Sequence, residues 1–136
     1  MSTFQLEIVT PEKTVYSGEI ESLRAPGSEG EFGVLARHRA MLAALGVGRI
    51  QFKETGAEDR QVATSGGFAE VHGSGVTILA ETAEFGEEID LARAEAARDR
   101  ARERLGRRRD VDVDEARAEI ALLRAVNRLR MLGSEG

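Results

Sequence analysis

Glycine stops punctuating this chain at Gly86. Twelve of its fifteen glycines fall in residues 1–86, in a stretch where apolar and polar residues alternate. From Glu87 to Leu132 there is one glycine, Gly106, no proline, and a run dominated by Ala, Arg and Glu. Glycine is poorly tolerated inside a helix and alanine is the best helix former, so only the second stretch reads as helical. The expected organisation is a β module over residues 1–86 joined to a helical pair over residues 87–136.

Charge divides at the same place. The net charge of −5 comes from the β part, with 12 acids and 7 bases, whereas the remainder has 12 of each. Neither part offers a large basic face, which argues against nucleic acid as the principal partner. There is no cysteine, so disulfides and thiolate metal sites are excluded and packing alone must hold the fold. No apolar run approaches the roughly 20 residues needed to span a bilayer, and Met1 to Thr10 alternates where a signal or transit peptide would not. The expectation is a soluble chain acting in the compartment where it is made.

Phe4, Leu6 and Ile8 share one parity and Gln5 and Glu7 the other, the pattern of a half-buried strand over Thr3 to Thr10, turned by Pro11-Glu12-Lys13. A second strand is expected over Val15 to Ala25. Ile20 and Leu23 differ in parity, so a bulge near Glu21 or Ser22 is needed to turn both inward. Pro26-Gly27 opens a loop through Gly33, and Val34-Leu35 with Met41 to Leu45 returns to the core. Further strands are expected at Gly46 to Phe52, Gln61 to His72 and Val76 to Thr82. Short strands with tight turns and no crossover helix indicate a flattened β-sandwich or barrel rather than a doubly wound fold.

In the helical part Asp90 is an expected N-cap, and Gly106 an expected left-handed stop after Leu105. The first helix would bury Ala94, Ala97, Ala101 and Leu105, a narrow face that admits close approach of a second helix. That second helix is expected to begin after Asp112, paired with Glu115 in a variant capping box, and to run to about Leu132. Its stripe would be Ala116, Ile120, Leu123 and Val126, widened by Leu122 and Leu129. The two helices should close as an antiparallel hairpin.

Candidate chemistry is sparse. Gly27-Ser28-Glu29-Gly30-Glu31-Phe32-Gly33 is glycine-rich, but no Lys-Ser/Thr follows and two glutamates stand where an anion would approach. It reads as a structural or partner-docking loop. Thr64-Ser65-Gly66-Gly67 reads as a strand irregularity. His38 and His72, the only histidines, have no acid and nucleophile at triad spacing, and no His/Asp set is clustered for a metal. Nothing marks the chain as an enzyme. Arg124 and Arg128 share a helix face, while Asp90 and Arg93 begin the first helix, so an antiparallel hairpin would gather all four at one end. Such a group could hold nucleotide phosphates. The plainer reading is that Asp90 caps its helix and the arginines pair with Glu119 and its neighbours.

Five strings, in order, carry a resemblance. They are Thr10-Pro11-Glu12 through Tyr16-Ser17-Gly18; Gly27 to Leu35 followed by His38; Gly66-Gly67-Phe68-Ala69-Glu70-Val71; Val76 to Ala83; and Ile89-Asp90-Leu91-Ala92-Arg93-Ala94. On these the chain resembles, along nearly its whole length, the epsilon subunits of bacterial and chloroplast F-type ATP synthases. The resemblance implies a ten-stranded flattened sandwich followed by a two-helix domain. It implies a non-catalytic rotor subunit held with gamma in the central stalk, contacting the ring of c subunits and coupling rotation to ATP synthesis. By motif match Glu31 would face the c ring and His38 the contact with gamma. The helices of the family switch between a folded hairpin and an extended form that reaches the alpha and beta subunits and inhibits ATP hydrolysis. Arg117, Arg124 and Arg128 would then meet acidic segments of beta.

Some members bind a regulatory ATP on the folded hairpin. The matching residues here are Ile89, Asp90, Arg93 and Ala94, with Arg124 and Arg128 on the second helix. The resemblance also implies a peripheral position on the cytoplasmic face of a bacterial inner membrane, reached only through the complex, with no required cofactor. The chain departs from the family at Arg39-Ala40, where many members have a small residue and proline. The alternative class is a stand-alone β-sandwich binding module with a helical tail that docks on a partner; a small hydrolase ranks third.

Overall fold

The computed structural model describes residues 2–133, and the chain divides into two compact units, Met1–Phe85 and Gly86–Gly136. The first holds ten strands: β1 (Phe4–Val9), β2 (Thr14–Ile20), β3 (Ser22–Gly27), β4 (Gly30–Leu35), β5 (Met41–Leu45), β6 (Gly48–Lys53), β7 (Asp59–Thr64), β8 (Gly67–His72), β9 (Gly75–Ala80) and β10 (Ala83–Phe85). They pair in the order β10-β7-β6-β3-β5-β8-β9-β1-β2, with β4 on β3. The link between β3 and β5 is a single register pair, Gly27 with Leu45. Elsewhere β10-β7-β6-β3-β4 and β5-β8-β9-β1-β2 form two layers of a flattened sandwich.

Alternation decides which side chains lie between the layers. Leu6 and Ile8 of β1, Ile50 and Phe52 of β6, Val62 of β7 and Ile78 of β9 are all sealed from solvent in one apolar cluster. All adjacent pairings but one are antiparallel; β1 runs parallel to β9, with Ile8 opposite Ile78. Gly75 opens β9 at φ +151°, where any Cβ would collide with the Gln5 carbonyl, so this close approach of β1 requires glycine.

Two expected strands are each split. Ile20 and Leu23 both point inward, but not through a bulge: β2 ends at Ile20 and β3 begins at Ser22 in the other layer. Glu21 is the corner, its N–H donating to the Lys53 carbonyl at 2.7 Å and its carboxylate accepting from Lys53 Nζ at 2.9 Å. The expected strand from Gln61 to His72 likewise breaks at Ser65-Gly66, where the Thr64 hydroxyl accepts from the Gly66 N–H at 3.3 Å. The stretch from Gly27 to Gly33, expected as a loop, is mostly a hairpin: Gly27 pairs with Gly30 and Arg24 with Gly33.

The second unit contains a short 3-10 turn, η1 (Gly86–Glu88), then α1 (Leu91–Gly106) and α2 (Glu115–Met131) packed against each other as a hairpin. Asp90 caps α1 as expected, its Oδ1 accepting the Arg93 backbone N–H at 3.0 Å. Gly106 is not a left-handed stop; it completes the last turn, and Arg107 closes the helix at φ −110°. The cap of α2 is Asp114 rather than Asp112, with Oδ1 accepting from the Arg117 N–H at 3.1 Å. Starting there turns Ala118, Ala125 and Leu129 against Ala94 and Ala101. The expected stripe is therefore partly wrong: Ala116, Ile120 and Leu123 are exposed. Alanines take the seam because a small side chain on each helix lets the backbones approach, and larger neighbours are pushed to the flanks.

Candidate functional site

Three strands of one layer present an apolar patch to solvent. Register pairs Leu42 of β5 with Glu70 of β8 and Glu70 with Thr77 of β9, while Ala44 pairs with Phe68 and Phe68 with Leu79. Opposed residues in a sheet point to one face, and this face is the outward one. Leu42 is 70% exposed, Phe68 55% and Leu79 58%, and the three line one shallow depression with Glu70 and Thr77. Large apolar side chains gathered in this way mark a surface meant to be covered. Sequence reading missed the patch, because each of the three is an ordinary outward position in its own strand.

The patch continues into a basic turn. Residues 36–40 join β4 to β5, and the His38 N–H closes the turn on the Leu35 carbonyl at 3.2 Å. Arg37 sits inside it at φ +67°, the only left-handed residue other than glycine among the described residues. That conformation costs a non-glycine residue on the order of 1 kcal/mol. His38 Nδ1–H donates to the Arg39 carbonyl at 2.7 Å. Arg37, His38 and His72 rim a cleft floored by Phe4, Val34, Val71 and Val76. His72 is bracketed by the hydroxyls of Thr77 and Ser74, each at 3.0 Å. The two histidines thus share one end of the sandwich.

Glu31 lies elsewhere, at the tip of the β3–β4 hairpin, with its carboxylate 3.3 Å from Arg24 Nη2 and half exposed. An aromatic cluster bridges the two layers, from β2 of one to β6 and β10 of the other. Tyr16 and Phe52 pack as a tilted pair, 4.4 Å between ring centroids and 44° between planes, and the Arg60 guanidinium lies 4.4 Å over Phe85, the last residue of β10. The Tyr16 hydroxyl donates to Glu54 Oε2 at 3.0 Å. Burial, reinforced by that carboxylate, pushes the Tyr16 phenol up to about 12.

On the hairpin, Asp90 and Arg93 form the first turn of α1, and Arg124 and Arg128 lie in the last turns of α2. Antiparallel packing lays these two ends side by side. Ala94 is buried in the seam and Ile89 is half-buried, and both side chains are hydrocarbon. The Asp90 carboxylate serves as the cap. Arg117 is exposed in the first turn of α2, at the opposite end of the hairpin from Asp90. Among the described residues no three His, Cys, Asp or Glu side chains are grouped to hold a metal, and no helix is long and apolar enough to cross a membrane.

Residues 3–86 match the family model for the beta-sandwich domain of the ATP synthase Delta/Epsilon chain, and residues 87–133 match the long alpha-helix domain of that chain. The ATP synthase epsilon chain of Syntrophomonas wolfei is 47% identical over 129 residues, covering 95% of this chain and 93% of its own length. That of Nitratidesulfovibrio vulgaris is 48% identical over 132 residues, 97% of each. Among solved structures, a chain of the cryo-EM structure of Euglena gracilis mitochondrial ATP synthase, comprising OSCP, F1 and c-ring, superposes with a TM-score of 0.75 at 29% identity. The match covers 90% of this chain and 77% of that one.

Proposed function

Because the chain belongs to the ATP synthase Delta/Epsilon family, we propose that it is the non-catalytic epsilon subunit of an F-type ATP synthase central stalk. In this role the sandwich docks on gamma and on the ring of c subunits, and the hairpin regulates ATP hydrolysis. The observation that carries the docking is the outward patch of Leu42, Phe68 and Leu79. A surface of this kind, on an otherwise charged module, stays soluble by being covered, and gamma is the stalk partner to cover it. His38 stands at the end of the same face. Glu31, at an exposed hairpin tip, is suited to polar loops of the c ring. Attachment to the membrane is peripheral and runs through the complex, on the cytoplasmic face in a bacterium.

Regulation rests on the hairpin seam. Four of its five buried residues are alanines, so parting the helices exposes little apolar area, and a second packing of similar free energy is within reach. In the extended state, which reaches the alpha and beta subunits, Arg117, Arg124 and Arg128 would face acidic segments of beta. In the folded state the end of the hairpin bearing Asp90, Arg93, Arg124 and Arg128, with Ile89 and Ala94 shaping it, would take a regulatory ATP. By linkage such binding favours the folded, non-inhibitory form.

The test is ATP hydrolysis by an alpha-beta-gamma complex supplied with the full chain or with a version ending at Gly86, at low and high ATP. Both should bind, and only the full chain should repress, with relief at high ATP. Failure of both to bind would overturn the assignment to the stalk. Equal activity with both would remove the brake and leave a passive stalk component.

A further inference from the structure

The β module is acidic, yet its β4–β5 turn reads Ala36-Arg37-His38-Arg39-Ala40. Of the seven bases in residues 1–86, Arg24, Lys53 and Arg60 are each held by a glutamate: Glu31, Glu21 and Glu54. Arg37 and Arg39 are exposed and have no ion pair among the described residues. Two unneutralised guanidiniums therefore flank His38 in five residues of a chain that carries −5. Arg37 moreover occupies a left-handed position that glycine would fill without strain. The fold does not need an arginine there.

Position gives the turn its meaning. Because β5 runs antiparallel to β8, the residues before Met41 lie beside His72, at one end of the face that bears Leu42, Phe68 and Leu79. Carboxylates on that face, Glu70 of β8 opposite Leu42 and Glu7 of β1 opposite Thr77, lie in the row of Leu42, between the turn and the row of Phe68 and Leu79. An apolar centre with guanidiniums at one end and carboxylates beside it accepts a partner in one orientation. The exposed arginines and apolar cleft floor form no closed cradle for a small ion; they suit an extended surface.

We infer that the Arg37–Arg39 turn is the electrostatic end of the docking face and receives a carboxylate-bearing segment of gamma. This rests on the docking of the sandwich to gamma proposed above. The turn adds affinity and fixes the register of the complex, while the apolar patch supplies contact area.

The test uses the full chain, titrated onto an alpha-beta-gamma complex lacking it, at 50 and 200 mM salt. The variants are Arg37→Gly, Arg39→Gln, both together, and Arg49→Gln as a control on a strand of the other layer. Arg37→Gly removes the charge and relieves the backbone, so a lost fold cannot account for weaker binding. Each single change should weaken binding about two- to fivefold at low salt and the pair about tenfold. The deficit should shrink at high salt as screening removes what the arginines contributed, and Arg49→Gln should bind as the parent does. Parent-like binding by the double variant, a deficit equal at both salts, or an equal loss in Arg49→Gln would each overturn the inference. Absence of binding by the unaltered chain would instead overturn the docking on which it rests.

Discussion

The sandwich and the hairpin bury different side chains. Between the sheets lie Phe52, Leu6, Ile8, Ile20, Leu23, Ile50 and Ile78, all essentially inaccessible. Fully buried on the two helices, among the described residues, are Ala94, Ala101, Ala118 and Ala125, with Leu129 the one large side chain. Fully burying a large aliphatic or aromatic side chain is worth about 1.5–3 kcal/mol, and an alanine methyl well under that. The first unit is therefore the more strongly packed, and the second, with less apolar area in its seam, is the one proposed to exchange its packing. The proposed role, a module fixed to a rotor with a tail that changes state, is served by this inequality.

The comparison can be broken most forcefully from the sandwich side. Phe52→Ala removes a ring packed at a tilt on Tyr16 and edge-on to Phe85, and should cost about 3–5 kcal/mol by chemical denaturation. A loss below about 1 kcal/mol would mean the core is not close-packed. Leu129→Ala should cost about 2–3 kcal/mol of hairpin stability, read as lost helicity with the sandwich transition unmoved. If the sandwich transition moved with it, the two units would not be independent.

A pH scan sharpens the account of the aromatic cluster. The Tyr16 phenol is pushed up to about 12 from 10.0, so the folded chain holds this proton more tightly than the unfolded one. Its contribution is complete below pH 10 and is lost between 10 and about 12. Tyr16→Phe should flatten the fall in sandwich stability across that window by about 1–2 kcal/mol; an unchanged fall would place the titration elsewhere. The smallest effect is expected of Asp114→Ala, about 1 kcal/mol of local helix stability from the lost cap. Asp112→Ala should do nothing measurable to helicity, and a loss there equal to that of Asp114→Ala would return the cap to the earlier aspartate.

Legibility followed the range of the physics involved. The change of composition at Gly86, the parity of Leu6 and Ile8 and the cap at Asp90 are local, and each stood in the sequence before any fold was known. The corners at Glu21 and at Ser65-Gly66 did not, because a chain leaving one layer for the other stays extended and keeps alternating. Only the pairing partners change. Along α2, the capping-box spacing to Glu115 favoured Asp112 where Asp114 is the cap, and hydrophobicity favoured Ile120 and Leu123 as the stripe. Facing alanines on α1 reversed that choice, a selection made by the partner helix. The exposed apolar patch joins positions 42, 68 and 79 from three strands, and only tertiary pairing gathers them.

The most direct measurement is amide hydrogen exchange across the full chain, comparing Leu91 to Met131 with β1, β6, β8 and β9. The expected result is hairpin amides exchanging at least about 100-fold faster than the sandwich core, in two separate groups. Equal protection, with both units opening together, would contradict a fixed docking module joined to a weakly packed tail.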